Sequence, residues 1–584
     1  MEKVYSSQEG LDEPMTRSSQ QHGGLKTMPF IIANEAFEKV ATYGSTANMI
    51  LYLTGAFNME VVMGAQALFL WTAISYFLPI VGALVSDSYL GKFRVIVLAS
   101  LFSLTGMVLL WLTTMIPSAS PKEGEKATPA QLALLFSSFA FMAIGAGGIR
   151  PCSIAFGADQ FNKPESPGNE GVLQTFFNWY YASVGVSIMV AVTIIVYIQD
   201  HKGWRFGFGI VVLLMLLSTI LFVLGNPYYV KVKPTKSLFI GFAKVLVAAW
   251  KNKDLVLSPT NSIHACSYVY HHHRGSKLVA PTNNLSFLNK ACIIRNPSEE
   301  NLKLDGSARK PWSLCTVDQV EDLKSLMRVI PIWSTGIMVS VVVGQNSFFV
   351  LQAKNMNRHI TSSFQFPAGS FVVFTILTYT IWLVVCDKII VMLVSKVKKQ
   401  KGSLTDKQRM GIGILLVCAS MIVWALVENI RRKRAIEHGM SKIAHSVVDM
   451  SAFWLVPQHC LIGVSEAFNF IAQIKFYYTQ FPKNMASIAV ALFSVGVAVG
   501  NLVGTLIVKV VDKASKGSGN QSWLSSNLNQ GHYDYYYWVL AVLSFVNFLY
   551  FLVCSWAYGS ENNEEGIRVL GDDGEEVKEK NMHV

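Results

Sequence analysis

Residues 35–39 read Glu-Ala-Phe-Glu-Lys and fall inside the first long apolar segment of the chain. Glu35 and Glu38 are three apart, and Glu35 and Lys39 four apart, so on a helix all three share one face. Ionisable groups are expensive at membrane depth. They face a bundle interior or a water-filled cavity, and they mark substrate or proton pathways. The alternative is a salt-bridge patch on an interfacial helix. Apolar residues on both sides, at 28–32 and 49–53, argue against it.

Composition places this cluster in a membrane protein. Of 584 residues, 52% are hydrophobic and only 15% charged, against roughly 25% charged in soluble domains. The formal net charge of +12 raises the question of nucleic acid. However, the basic residues collect between apolar segments, as they do in loops flanking membrane spans, so the expected partner is the lipid bilayer and not a nucleic acid. The eight cysteines are scattered without a CxxC spacing, which indicates neither a zinc site nor a disulfide framework. His271, His272 and His273 could bind a metal, but a solvated stretch of a variable loop is the expected reading. No nucleophile constellation, metal spacing or phosphate loop is present, so neither an enzyme nor a cofactor is expected.

A span needs about 20 apolar residues. Twelve segments qualify, at 28–54, 63–86, 93–116, 130–157, 173–199, 205–226, 322–352, 367–396, 409–430, 450–480, 485–511 and 534–558. The expected fold is an all-α membrane protein with twelve transmembrane helices in two six-helix bundles. A disordered tail at 1–25 precedes the first bundle at 26–226. A basic linker at 227–321 carries an amphipathic helix over 238–250, expected at the membrane surface. The second bundle covers 322–559, and an acidic disordered tail covers 560–584. Six spans on each side of one long connection predict a binding site between two bundles at mid-membrane. The linker is best placed in the cytosol. Arg431, Arg432, Lys433 and Arg434, read as a short loop after the ninth span, then lie on the opposite side and weaken the charge rule. The sequon at Asn520 falls in a loop expected outside the cell, and the one at Asn284 should stay bare.

Between spans two and three, Gly82, Asp87, Gly91, Lys92 and Arg94 resemble the loop signature of the major facilitator superfamily, with Asp387 and Lys388 as a faint echo in the second half. That loop gates the cytosolic face, and Asp87, Gly91 and Lys92 are its candidate residues. More motifs follow: Gly23 and Gly24 leading into Glu35, Glu38 and Lys39; Gly157 to Phe161; Phe176 to Tyr181; Cys315 to Glu321; Pro331 to Trp333; Pro457, Gln458, Gly463 and Glu466; Trp523 with Tyr535 to Trp538. From about residue 23 to 560 the chain thereby resembles the plant nitrate/peptide transporter family, most of all its first subfamily. That family belongs to the proton-coupled oligopeptide transporters of the major facilitator superfamily.

The resemblance implies a symporter working by alternating access, with the proton as one partner and a small anion as the other. Its Glu-x-x-Glu-Arg motif matches Glu35 and Glu38, but Lys39 stands where the family has Arg. Arg stays charged in any setting, whereas a desolvated Lys can lose its proton. The family's basic residue in span four falls on Arg150 and its acid in span ten on Glu466. These two can pair across the central cavity when substrate is absent. Gln345, Phe348 and Phe349 in span seven, Trp382 in span eight, and Asn469, Phe470 and Gln473 in span ten would complete the cavity wall. The histidine that contacts nitrate in one branch matches Val343, and that branch's phosphorylated threonine matches Val95. Both devices are therefore missing. The peptide carriers' tyrosine pair is reduced to Thr42 and Tyr43. The expected substrate is nitrate first, then a plant hormone carboxylate such as gibberellin or jasmonate, then small peptides. A sensor with little flux is a reading of a different class. The expected location is the plasma membrane.

Overall fold

Three long helices begin with the same device. Thr128, Thr316 and Thr405 each accept from the backbone N–H of a glutamine three residues on, and that glutamine side chain accepts from the threonine N–H. Such a capping box satisfies two orphan donors at once and sets where each helix starts. In this computed structural model the described residues are 23–122, 124–161, 169–232, 238–255, 270–272, 280–294, 308–383, 404–443, 446–482, 485–517 and 521–559. Most of the expected tails, and Asp387, Lys388, His273 and Asn520, lie outside them.

The first half contains α1 (Met28–Thr46), α2 (Met49–Gly55), α3 (Val61–Val85), α4 (Lys92–Met115), α5 (Pro129–Asp159), α6 (Asn169–Val190), α7 (Val196–Lys202) and α8 (Trp204–Leu224). A π-turn at Ala191–Ile195 joins α6 to α7, and another at Ser86–Leu90 ends α3. Small residues let α4 and α5 close tightly: a Cβ on Gly148 would lie 2.5 Å from the Ala99 Cβ. Without a hydrophobic drive between helices in lipid, such backbone approach supplies the packing.

After the linker helix α9 (Leu238–Lys251) the second half contains α10 (Val317–Val343), α11 (Asn346–Lys354), α12 (Ala368–Leu383), α13 (Asp406–Glu437), α14 (Val456–Gln480), α15 (Ala486–Ser515) and α16 (Tyr533–Tyr558). A short parallel pair, Met356–Asn357 with Val448–Ser451, is the two-stranded sheet.

Nine helices among the described residues are long and apolar enough to cross a membrane, where the sequence predicts twelve spans. The physical reasons differ among the remaining three. The first expected span carries three charged groups and breaks between α1 and α2. The eighth is seen only over Ala368–Leu383. The tenth, α14, is a full 25-residue helix whose face is strongly polar, with Gln458, His459, Glu466, Asn469 and Gln473. The seventh expected span is also two helices, interrupted at Gly344 and Gln345.

One expectation about charge is corrected. Residues 431–434 are not a loop; they continue α13. Arg431 is 0% exposed, and its guanidinium donates to Glu428 at 2.8 and 2.7 Å, to Asn529 at 2.6 Å and to the Leu528 carbonyl at 3.2 Å. A charge neutralised internally carries no weight in a loop-charge rule. The linker is also more than a solvated loop. Val245, Ala248, Tyr270, Leu288, Ala291, Cys292 and Cys315 form a small core that continues onto Val320 and Leu323 of α10. His271 belongs to this core: its ring nitrogen lies 3.2 Å from the Cys315 carbonyl. Burial pushes the Cys292 and Cys315 thiols up to about 12 and about 11.

The two halves meet at the end away from the linker. There α2 packs on α11, and α7 approaches the first turn of α12. Arg358 and Lys354 pair with Asp200 at 3.3 and 3.9 Å. The α3 and α15 helices also run against each other across the halves.

Candidate functional site

The helix α1 brings its three charged groups together as the spacing predicts. Lys39 Nζ lies 2.9 Å from Glu35 Oε1 and 2.6 Å from Glu38 Oε2. Both carboxylates are 2% exposed, which rules out the surface-patch alternative. Thr42, one turn on, donates to Glu38 Oε1 at 2.8 Å. The second Glu35 oxygen, Oε2, is buried with no hydrogen-bond partner. A buried carboxylate oxygen normally finds a donor; here the Tyr180 hydroxyl from α6 faces Glu35 without closing a hydrogen bond to this oxygen.

Arg150 stands on α5 at the edge of the same region. Its guanidinium lies 4.3 Å from the Tyr76 ring centroid and donates to the Ser75 carbonyl at 3.3 Å. Its charge acts on Glu38 and Tyr43. Together Thr42, Tyr43, Thr46, Thr72, Tyr76 and Arg150 line a cavity of about 180 Å³. The walls are hydroxyls and aromatic faces around one cation. Such a site holds an anion by charge and hydrogen bonds and shields it with ring surface. With Glu35, Glu38, Lys39 and Arg150 all ionised, the local charge is zero. A proton on either carboxylate leaves one positive charge in excess, which an anion can balance.

Tyr76, Thr72 and Thr46 escaped the sequence reading. For the two on α3, the cluster of polar residues at 72, 75 and 76 within a mostly apolar helix was the available signal.

Other candidates lie elsewhere. Arg150 and Glu466 are not paired. Arg150 is turned to Ser75 and Tyr76, and Glu466, half-buried on α14, makes no hydrogen bond or ion pair among the described residues. Three proposed wall residues are packed in the core of the second half. Phe348 is fully buried between Tyr533 and Tyr536. Gln345 accepts from the Tyr536 hydroxyl at 2.8 Å and donates to the Val341 carbonyl at 2.8 Å. Asn469 donates to the Met410 carbonyl at 3.1 Å and accepts from Gln473 at 2.6 Å, tying α14 to α13. Their polar groups are spent on helix contacts, so they cannot serve a ligand in this conformation. Phe349 likewise stacks on Trp424 at 3.8 Å.

The candidate gating loop has a clear local logic. Gly91 ends the π-turn at φ +78°, a backbone conformation that favours glycine. Asp87 accepts from Ser86 at 3.1 Å. Lys92 pairs with Asp159 at 2.7 Å, fastening the start of α4 to the end of α5. The next residue, Gln160, exchanges hydrogen bonds with Val230 at 3.0 and 2.8 Å and accepts from Gly24 N–H at 2.8 Å. The motif at 157–161 therefore joins three chain segments on the linker side.

Residues 93–524 match the model of the POT family. The chain belongs to the POT family. Among its relatives are two proteins from Arabidopsis thaliana. Protein NRT1/PTR FAMILY 1.1 is 52% identical over 95% of this chain and 94% of its own length. Protein NRT1/PTR FAMILY 1.2 is 48% identical over 96% and 93%. The fold resembles an auto-inhibited POT family peptide transporter, with a TM-score of 0.68 and 19% identity over 92% of this chain and 98% of that one. It also resembles a POT family transporter in complex with 5-aminolevulinic acid, with a TM-score of 0.60 and 16% identity over 92% and 99%. This POT-family chain is a multi-pass membrane transporter and not an enzyme.

Proposed function

We propose that this transporter is a proton-coupled symporter that carries a small anion, nitrate first, across the plasma membrane by alternating access. The carrying observation is the α1 cluster: two buried carboxylates share one lysine, one carboxylate oxygen is unpartnered, and a cavity holding Arg150 lies one turn away. Protonation at Glu35 or Glu38 creates the positive excess that draws the anion to Arg150. Release of both restores neutrality. The halves at 26–226 and 322–559 are the moving bodies, and Asp200 with Arg358 and Lys354 closes the side away from the linker. With the linker in the cytosol, this conformation faces inward. Glu466 is then a partner that Arg150 reaches in another state of the cycle.

A second reading, an organic carboxylate such as a plant hormone, is favoured by the cavity itself. About 180 Å³ walled by Tyr43, Trp71 and Tyr76 offers more apolar surface than nitrate uses. The test is uptake of labelled nitrate and labelled gibberellin side by side in oocytes, at mildly acidic and mildly alkaline pH. Acid-stimulated nitrate uptake supports the first reading. Acid-stimulated gibberellin uptake alone transfers the substrate to the carboxylates. No uptake of either, with protein at the surface, removes both.

A further inference from the structure

Thr42 touches both parts of the proposed site. Its hydroxyl donates to Glu38 Oε1, and its side chain lines the cavity into which Arg150 projects. A hydroxyl has one hydrogen to give and two lone pairs to accept with. While Glu38 is ionised, that hydrogen is committed to the carboxylate. When Oε1 carries a proton, the acid O–H becomes the donor and Thr42 Oγ1 must accept. The threonine hydrogen is then released from Glu38. We propose that Thr42 is the coupling residue that turns protonation of Glu38 into a hydrogen-bond donor for an anion in the cavity. This inference rests on Glu38 being a proton site of the symporter proposed above.

The surroundings of Glu38 favour this assignment. Its other oxygen, Oε2, is held by Lys39 at 2.6 Å, so the oxygen facing Thr42 is the one left for a proton. The charged and titratable groups around it are Glu35 and Lys39 on its own helix, Tyr43 one turn on, Arg150 from α5 and Tyr180 from α6. From α8, Ser218 bonds Asn34. Two other α1 hydroxyls at the cavity are already spent, and the third, on Tyr43, is bonded to no carboxylate. Thr46 donates to the Thr42 and Tyr43 carbonyls, and Ser45 to the Ala41 carbonyl. Among the described hydroxyls that α1 brings to the cavity, Thr42 is thus the one bonded to a carboxylate. The proton ends on Glu38 Oε1 and leaves from there; the threonine hydrogen changes partner and stays on its oxygen.

The test compares Thr42→Val, which keeps the shape and removes the hydroxyl, with Thr42→Ser, which keeps the hydroxyl. Thr42→Ala serves if the valine variant does not reach the surface. KM and maximal uptake are measured in acid and alkaline medium, with surface protein quantified, for whichever of nitrate or gibberellin the wild type takes up in acid. In the wild type KM falls on acidification. In Thr42→Val it stays near its alkaline value, about tenfold above wild type in acid, the size of one lost hydrogen bond to a charged group. Thr42→Ser restores the fall. A valine or alanine variant with the wild-type drop in KM overturns the inference, as does a serine variant that fails like valine. Failure of the underlying reading looks different. The wild type then shows no acid stimulation, or Glu38→Gln keeps it.

Discussion

The chain holds two buried clusters that look alike as sequence: Glu35 with Glu38 and Lys39 on α1, and Glu428 with Arg431 on α13. Both set acids against a base at helical spacing inside an apolar segment. Their surroundings separate them. Each donor nitrogen of Arg431 has a partner, and the Glu428 carboxylate receives two parallel bonds. The α1 cluster has a carboxylate oxygen left over and a cavity beside it. A saturated cluster locks a helix in place; an unsaturated one can exchange a proton or a ligand. Buried pairs give little net stability for their desolvation, so saturation shows which of the two is structural.

The largest effect expected from this contrast is on folding. Arg431→Met leaves Glu428 buried without a partner and should cost about 3–5 kcal/mol, read as a drop in thermal stability and folded yield. Adding Glu428→Gln should recover part of it. If Arg431→Met folds normally and loses uptake instead, the two clusters have been assigned the wrong way round. Next comes Glu38→Gln, which should abolish acid-driven uptake and leave the melting temperature within a few degrees of wild type. Normal acid stimulation in that variant ends the proton assignment of α1.

Arg150→Ala should weaken anion uptake about tenfold through KM, as expected for a lost charged contact. Lys39→Arg, which keeps the charge and restores the family residue, should change it by less. Equal effects would place the anion nearer Lys39. On the second half, Tyr536→Phe removes the bond to Gln345 and should cost about 1 kcal/mol of stability without moving KM. A shifted KM would return Gln345 to the substrate path. The smallest effect concerns His532, at the start of α16. Burial, then the Arg432 guanidinium, lower its pKa, with Asp534 opposing. A histidine kept neutral in the fold contributes stability above its unfolded value of about 6.5. That contribution is lost as pH falls toward the folded value. His532→Asn should therefore flatten the acid side of the melting-temperature profile slightly.

How much was legible varies from residue to residue. Glu35, Glu38 and Lys39 were readable because a helix brings residues three and four apart together. The helix over 238–250 was readable from its period, and the structure extends it by one residue to Lys251. Phe348, Gln345 and Asn469 read as cavity wall because each lies on a span near the expected cavity, and nothing local shows that in this conformation they face the core of the second half. Phe348 meets tyrosines nearly two hundred positions away, and Asn469 meets a carbonyl on the preceding long helix. The run 431–434 reads as loop because basic residues end most spans. Its leading arginine is retained inside by Glu428, one turn earlier on the same helix, and by Asn529 from a distant loop.

By itself the sequence determined the membrane class, most of the helical segments, the family and the charged face of α1. All of these rest on composition, on period and on motifs carried within single segments. Tertiary structure alone decided that Arg150 lies on Tyr76 and not on Glu466, that Thr42 joins Glu38 to the cavity, and that Arg431 is saturated. The first and the last depend on which group from another segment fills the space beside a side chain, and the second on α3 and α5 bringing a cavity to the α1 face that carries Thr42. A buried polar atom is structural or functional according to whether that space supplies its partner, and a single segment's pattern carries no record of it.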